Sequence, residues 1–202
     1  IRFPRGEALD IYEDNRSPVI YGKSEILKRG MKIAVVAVGA CVKLTEEIDD
    51  ILLENGYDAT IINARFIKPI DSDLLDDIAK KHDLIVTLEE NVLTGGYGQS
   101  VLSYINEKGY AADVLNIGLK DSFIEHGDVG SLWKANGLDG EIIANKILKT
   151  TINTTEILKS HINAGKFEPV YYESVVEHGK VDRVDLYEDP DDGKVYVKII
   201  DY

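Results

Sequence analysis

Basic residues are scarce in this sequence: 23 Lys and Arg stand against 36 Asp and Glu in 202 residues, a formal charge of −13. That balance excludes a nucleic-acid partner, because phosphate neutralisation needs clustered Lys and Arg, and it disfavours anionic membrane surfaces for the same reason. Cysteine is almost absent. Cys41 alone permits no internal disulfide and no paired-cysteine metal site, and a reducing cytoplasm is the compartment that fits. No apolar run approaches the roughly 18 residues needed to span a bilayer, and no charged-then-apolar leader opens the chain. Proline is limited to five residues, while 44% of the chain is hydrophobic, enough for one sizeable core and a small appendage.

The middle of the chain alternates short apolar runs with amphipathic stretches. Residues 32–42 (KIAVVAVGACV) read as a strand, followed by a helix carrying Leu44, Ile48, Ile51 and Leu52 up to the stop Asn55-Gly56. Residues 57–67 read as a second strand, and Asp71-Ser72 caps a helix with Leu74, Leu75 and Ile78. Residues 83–88 give a third strand, 95–109 a third helix, 112–119 a fourth strand, and helix returns over about 129–148. Continuous apolar strands, each followed by a helix, predict a doubly wound, mostly parallel α/β sheet covered on both faces over residues 1–149. Residues 150–202 follow a different pattern. Asn153-Thr154-Thr155-Glu156 caps a helix to Gly165, and alternating segments at 169–176, 181–186 and 195–200 predict a β-meander whose last two strands form a hairpin on Asp189 to Gly193. So few strands need a body to pack on.

Several residues invite chemistry and have plainer readings. Gly95-Gly96-Tyr97-Gly98 opens a helix, where backbone N–H groups suit phosphate, yet it lacks the P-loop Lys-Ser/Thr and the G-x-G-x-x-G spacing, which favours close packing of helix on sheet. Glu89-Glu90 ends a strand where α/β sheets gather functional groups, and an interface or capping role is preferred to acid/base catalysis. His126 has no second histidine at ligand spacing and reads as a hydrogen-bonded loop residue. His82 stands behind a helix, where a cationic ring complements the carboxyl end. Cys41 reads as an inert buried thiol. Asp189 to Asp192 lack EF-hand spacing and read as a solvated turn rather than a Ca²⁺ loop.

The opening IRFPRG at 1–6, without a starting methionine, reads as the end of a strand or linker from a larger protein. With YGKSEILKRG at 21–30, AVVAVGACV at 34–42, INARFIKPID at 62–71, HDLIVTLEENVLTGGYGQSVL at 82–102, NIGLKDSFIEHG at 116–127 and GLDGE at 137–141, it resembles the carboxy-terminal domain of the 1-deoxy-D-xylulose-5-phosphate synthase family, over roughly residues 1–148. The tail from Thr150 onward resembles nothing in that family.

The resemblance implies a transketolase-type transferase in which thiamine diphosphate and Mg²⁺ are held by two preceding domains. Pyruvate loses carbon dioxide there, and the resulting enamine attacks glyceraldehyde 3-phosphate. It implies no catalytic, cofactor-binding or metal-binding residue in this piece, which is inactive alone. It assigns Arg2 to the phosphate of the acceptor aldehyde, a task suited to a group that stays charged and offers two parallel donors. Arg5 is a weaker candidate, with a structural ion pair as the preferred reading. The implied partners are the preceding domains and a second copy in a homodimer. A different class remains open: a stand-alone interaction or regulatory module with an acidic tail, or the same domain of another transketolase-family enzyme.

Overall fold

The computed structural model describes Tyr12 and residues 17–163, 184–188 and 195–199, with side chains as far as Thr151. It divides into two compact units, Ile1–Leu148 and Lys149–Tyr202. At the centre of the first lies β2 (Lys32–Ala37), whose residues Ile33 to Ala37 are all buried, as expected of a strand covered on both faces. β2 pairs in parallel with β3 (Thr60–Asn63) on one side and β4 (His82–Val92) on the other, and β4 pairs in parallel with β5 (Asp113–Leu119). At the outer edge of β3 a short strand, β1 (Glu25–Lys28), runs antiparallel with Glu25 opposite Asn63. The order is therefore β1-β3-β2-β4-β5, a mixed and mostly parallel sheet.

Alternation along the strands sorts the core into two layers. Ile33, Val35, Val86 and Leu88 face α1 (Leu44–Glu54) and the first turns of α5 (Gly140–Asn163), meeting Ile48, Leu52, Ile143 and Ile147. Ala34, Val36, Ile62 and Ile85 face α2 (Ser72–Lys81) and α3 (Tyr97–Lys108), meeting Leu75, Ile78, Val101 and Ile105. Helices on both faces are what the sequence pattern predicts.

The elements differ from expectation in six places. β2 ends at Ala37 instead of running to residue 42, because Gly39, at φ +57°, opens a 3-10 turn over Gly39–Lys43. β4 runs over His82–Val92 rather than 83–88, its last residue pairing with Leu119. β1 is an addition: only four residues long, two of them charged, it becomes a strand by pairing with β3. β3 is shorter than residues 57–67, since Asp58 uses its carbonyl on the Met31 N–H at 2.7 Å and Arg65 leaves the strand with φ +55°. The helix expected over 129–148 is two helices, α4 (Val129–Ala135) and α5. Gly137, at φ +78°, ends the first with its N–H on the Lys134 carbonyl, and Asp139 starts the second by accepting from Ile142 N–H. The helix expected to begin at Asn153 is the continuation of α5.

In the second unit β6 (Val184–Glu188) and β7 (Val195–Ile199) pair antiparallel, with Tyr187 opposite Tyr196, as the predicted hairpin requires. The segment 169–176 and the turn 189–192 lie outside the described residues.

Candidate functional site

Ligands of open α/β sheets gather at the carboxyl ends of the strands, where the order reverses. Here the reversal falls between β2 and β4. The crevice is filled by the chain itself. A 3-10 turn over Gly39–Lys43 follows β2 directly, and Val38 N–H bonds the Leu88 carbonyl at 2.9 Å. From α4, Trp133 reaches across, donating its indole N–H to Glu90 at 2.9 Å, with the Lys43 ammonium 4.2 Å from its ring centroid. Cys41 lies beneath. Burial first, and then the negative charges of Glu90 and Glu89, push its thiol up to about 12, so it is not a nucleophile.

Glu89, in the last stretch of β4 before Val92, is buried and accepts from the backbone N–H groups of Tyr97 and Gly98, both at 2.8 Å. These are first-turn donors that a helix leaves unpaired, so the amino end of α3 already holds an anion. The neighbouring glycines explain themselves. A Cβ on Gly96 would stand 2.6 Å from both Glu89 carboxylate oxygens, and one on Gly98 would stand 2.4 Å from the Thr87 hydroxyl. The glycine-rich turn is a seat for Glu89 and for helix-on-sheet packing, and Glu89 takes the capping role preferred from the sequence.

At the other corner of the same edge, Arg65 follows β3. Its guanidinium donates to the carbonyls of Ser17 and Pro18 at 2.8 and 3.0 Å and pairs with the buried Glu25. Glu25 also accepts the Ser17 backbone N–H at 2.6 Å. Burial works to raise its pKa, but the Ser17 N–H and the Arg65 charge outweigh it and hold the carboxyl below its ordinary value. Asp71 ties the segment a second time. It caps α2 through Leu74 N–H while accepting from Ser24 N–H at 2.8 Å and from the Lys23 ammonium at 3.0 Å.

Of the residues singled out from the sequence, Arg2 and Arg5 lie outside the described residues. His82 touches the carboxyl end of α2 as expected, with Nδ1 3.0 Å from the Ile78 carbonyl, while its burial works against the expected positive charge. Burial lowers its pKa, and Nε2, 2.8 Å from the Thr60 hydroxyl, is placed to accept from it as a neutral ring. His126 stands in a stretch, 120–131, in which every residue is exposed, and its ring makes no hydrogen bond among the described residues. Beside α1 a groove of about 660 Å³ is lined by Glu46, Glu47, Asp50 and Glu141 with Lys43 as its one cation, a net negative wall that disfavours phosphate. Among the described residues no group of three or more His, Cys, Asp and Glu side chains is arranged to hold a metal ion. The Arg65 clasp escaped the sequence reading. Its only signal is an arginine directly behind a strand, which is common.

Residues 22–143 match the family described as transketolase, C-terminal domain. The chain belongs to that family. Among curated relatives, this transketolase C-terminal domain is 45% identical over 150 residues to 1-deoxy-D-xylulose-5-phosphate synthase of Caldanaerobacter subterraneus subsp. tengcongensis, covering 74% of this chain and 24% of that one. The synthase of Clostridium perfringens is 43% identical over 153 residues, with the same coverage. The chain thus spans about a quarter of these relatives, in their carboxy-terminal region. A solved structure, a split gene transketolase in an inactive β4 tetramer, superposes with a TM-score of 0.61 at 27% identity, over 65% of this chain and 43% of that one.

Proposed function

We propose that this transketolase C-terminal domain is the last domain of a 1-deoxy-D-xylulose-5-phosphate synthase, which joins pyruvate to glyceraldehyde 3-phosphate with loss of carbon dioxide and so supplies isoprenoid and thiamine precursors. The observation that carries this reading is 45% identity over 150 residues to one end of a longer synthase. Within that enzyme Arg2 binds the phosphate of the acceptor aldehyde, with Arg5 second to it. A guanidinium presents two parallel N–H donors to phosphate oxygens and stays charged at every working pH.

Thiamine diphosphate and Mg²⁺ belong to other domains of the enzyme. The helix N-terminus that would take a diphosphate carries the Glu89 carboxylate on the N–H groups of Tyr97 and Gly98. The domain's own share is acceptor binding and packing against its neighbours. On this reading the enzyme is a homodimer of the cytoplasm; no helix among the described residues is long and apolar enough to cross a membrane.

The test compares the 202-residue chain with a longer polypeptide of the source cell that carries this sequence. The longer protein should release carbon dioxide from pyruvate when glyceraldehyde 3-phosphate is added, and the short chain should not. Tight calorimetric binding of thiamine diphosphate to the short chain would overturn the assignment.

A further inference from the structure

At the amino edge of the sheet a single hydroxyl joins three segments. Thr60 opens β3, and its side-chain oxygen accepts the Gly30 N–H at 2.9 Å while lying 3.1 Å from the Gly30 carbonyl and 2.8 Å from His82 Nε2. Gly30 is pressed against the chain that enters β3: a Cβ on it would stand 2.2 Å from the Asp58 carbonyl oxygen. The turn it opens is tight. Met31 N–H bonds that same Asp58 carbonyl at 2.7 Å, Ile33 N–H bonds the Met31 carbonyl at 2.7 Å, and Lys32 between them is held at φ +65°. A residue with a β-carbon takes that conformation only where its surroundings impose it. Opposite Lys32, across the ladder of β2 and β4, stands His82.

The Thr60 hydroxyl has one proton and two acceptors within reach, and His82 decides between them. Its Nδ1, 3.0 Å from the Ile78 carbonyl, carries a proton in either charge state, since a carbonyl only accepts. In the neutral ring Nε2 is therefore bare. The hydroxyl proton goes to it, and the Gly30 carbonyl loses that donor. In the imidazolium Nε2 is itself a donor. The hydroxyl oxygen then accepts from Nε2 and from Gly30 N–H, and its own proton turns to the Gly30 carbonyl. Of these groups, only the Gly30 carbonyl gains or loses a partner between the two states.

We propose that His82 and Thr60 form a proton switch: uptake of a proton by His82 reverses the Thr60 hydroxyl and locks the left-handed turn at Gly30 to Lys32, and loss of the proton releases it. Burial opposes the charged ring, Asp77 of α2 and Asp83 of β4 favour it, and Lys81 of α2 opposes it. Lys32 of β2 is exposed, and Asp58, ahead of β3, is paired with Lys28. Burial prevails, so the switch turns below the ordinary 6.5. Its signature runs against general acid lability. Acid weakens the fold as a whole, because a charged ring is buried, yet it tightens this one turn. The switch belongs to this fold and stands whatever reaction the larger enzyme performs.

Nuclear magnetic resonance of the 202-residue chain between pH 7.5 and 5 tests it. Nitrogen shifts of the His82 ring should show Nδ1 protonated throughout and Nε2 gaining the proton. The Gly30 carbonyl carbon should shift with the same midpoint. The Met31 amide, in the same peptide unit, should exchange about fivefold more slowly in the protonated state once the intrinsic rate is corrected for, the scale of one hydrogen bond. Thr60→Ser should keep the Gly30 response, and Thr60→Val should abolish it while His82 still titrates. His82→Gln, which identifies the ring among the four histidines, should abolish both. A Gly30 carbonyl that ignores the His82 titration overturns the switch, as does a neutral ring protonated on Nε2. Should Thr60→Val fail to fold, the spectra of the unaltered chain and of Thr60→Ser decide by themselves.

Discussion

Glu89 and Tyr97, eight residues apart, are joined by a 2.8 Å hydrogen bond from the Tyr97 backbone N–H to a buried carboxylate. The same carboxylate takes the Gly98 N–H, so one side chain closes the amino end of α3 and anchors it to the last stretch of β4. Replacing Glu89 by Gln keeps the shape and turns one acceptor into an amide that faces a donor. The expected loss is about 2 kcal/mol, the scale of a buried donor left unsatisfied. Urea unfolding of the two proteins checks it, and an unchanged midpoint would refute the capping role.

Arg65→Ala removes the donors to Ser17 and Pro18 and leaves Glu25 buried without its cation. Breaking a buried pair from one side costs about 3 kcal/mol, and Glu25→Gln in the same molecule should recover part of it. The pair is also acid-sensitive. With the folded carboxyl held below the ordinary 4.5, its stabilisation is complete above that pH and is lost as pH falls through the folded value. Thermal melts of both variants between pH 3 and 7 measure this. The Arg65→Ala deficit should shrink on acidification.

His82 gives the opposite end of the sheet a pH dependence near neutrality. Its folded pKa lies below the ordinary 6.5, so the unfolded chain binds the proton more readily, and stability should decline as pH drops below about 6.5. His82→Gln should flatten the dependence between pH 7.5 and 5 while costing about 1 kcal/mol for the lost hydrogen bonds. An equal slope in both proteins would place the titration elsewhere.

Cys41 should be silent. With a buried thiol raised to about 12, a disulfide reagent at pH 8 should label none of the folded protein and one equivalent after unfolding.

In the longer polypeptide, Arg2→Ala should raise the KM for glyceraldehyde 3-phosphate with less effect on pyruvate decarboxylation. The loss in kcat/KM should correspond to about 2–4 kcal/mol. Equal loss for both substrates would show that Arg2 supports the domain junction instead.

What the sequence discloses here is what is decided locally. The Asp71 cap and the Gly109 stop each act within a few residues and stand where they were expected, and the strand read over 32–42 is there as far as Ala37, where the chain turns into a 3-10 helix. β1 was hidden because Glu25 and Lys28 look like surface residues until β3 lies beside them. The break at Gly137 was hidden because apolar periodicity continues on both sides of it. The glycine-rich turn declared its packing role by the residues it lacks, but not its occupant, since Glu89 comes from another element. Arg65 was invisible as a clasp: its left-handed backbone and its partners at 17, 18 and 25 exist only once the sheet is formed. The family motifs named the chain's relatives; the arginines they assign to substrate, Arg2 and Arg5, lie outside the described residues.

The placement of β2 also governs how the chain is made. It emerges from the ribosome before either parallel partner and pairs first with β3, while its other edge waits for β4, complete only at Val92. Throughout that interval a strand apolar from Ile33 to Ala37 presents open N–H and C=O groups to any passing strand. Synthesis slowed between Asn63 and Val92 should therefore send more of the protein into inclusion bodies than a pause placed after β5.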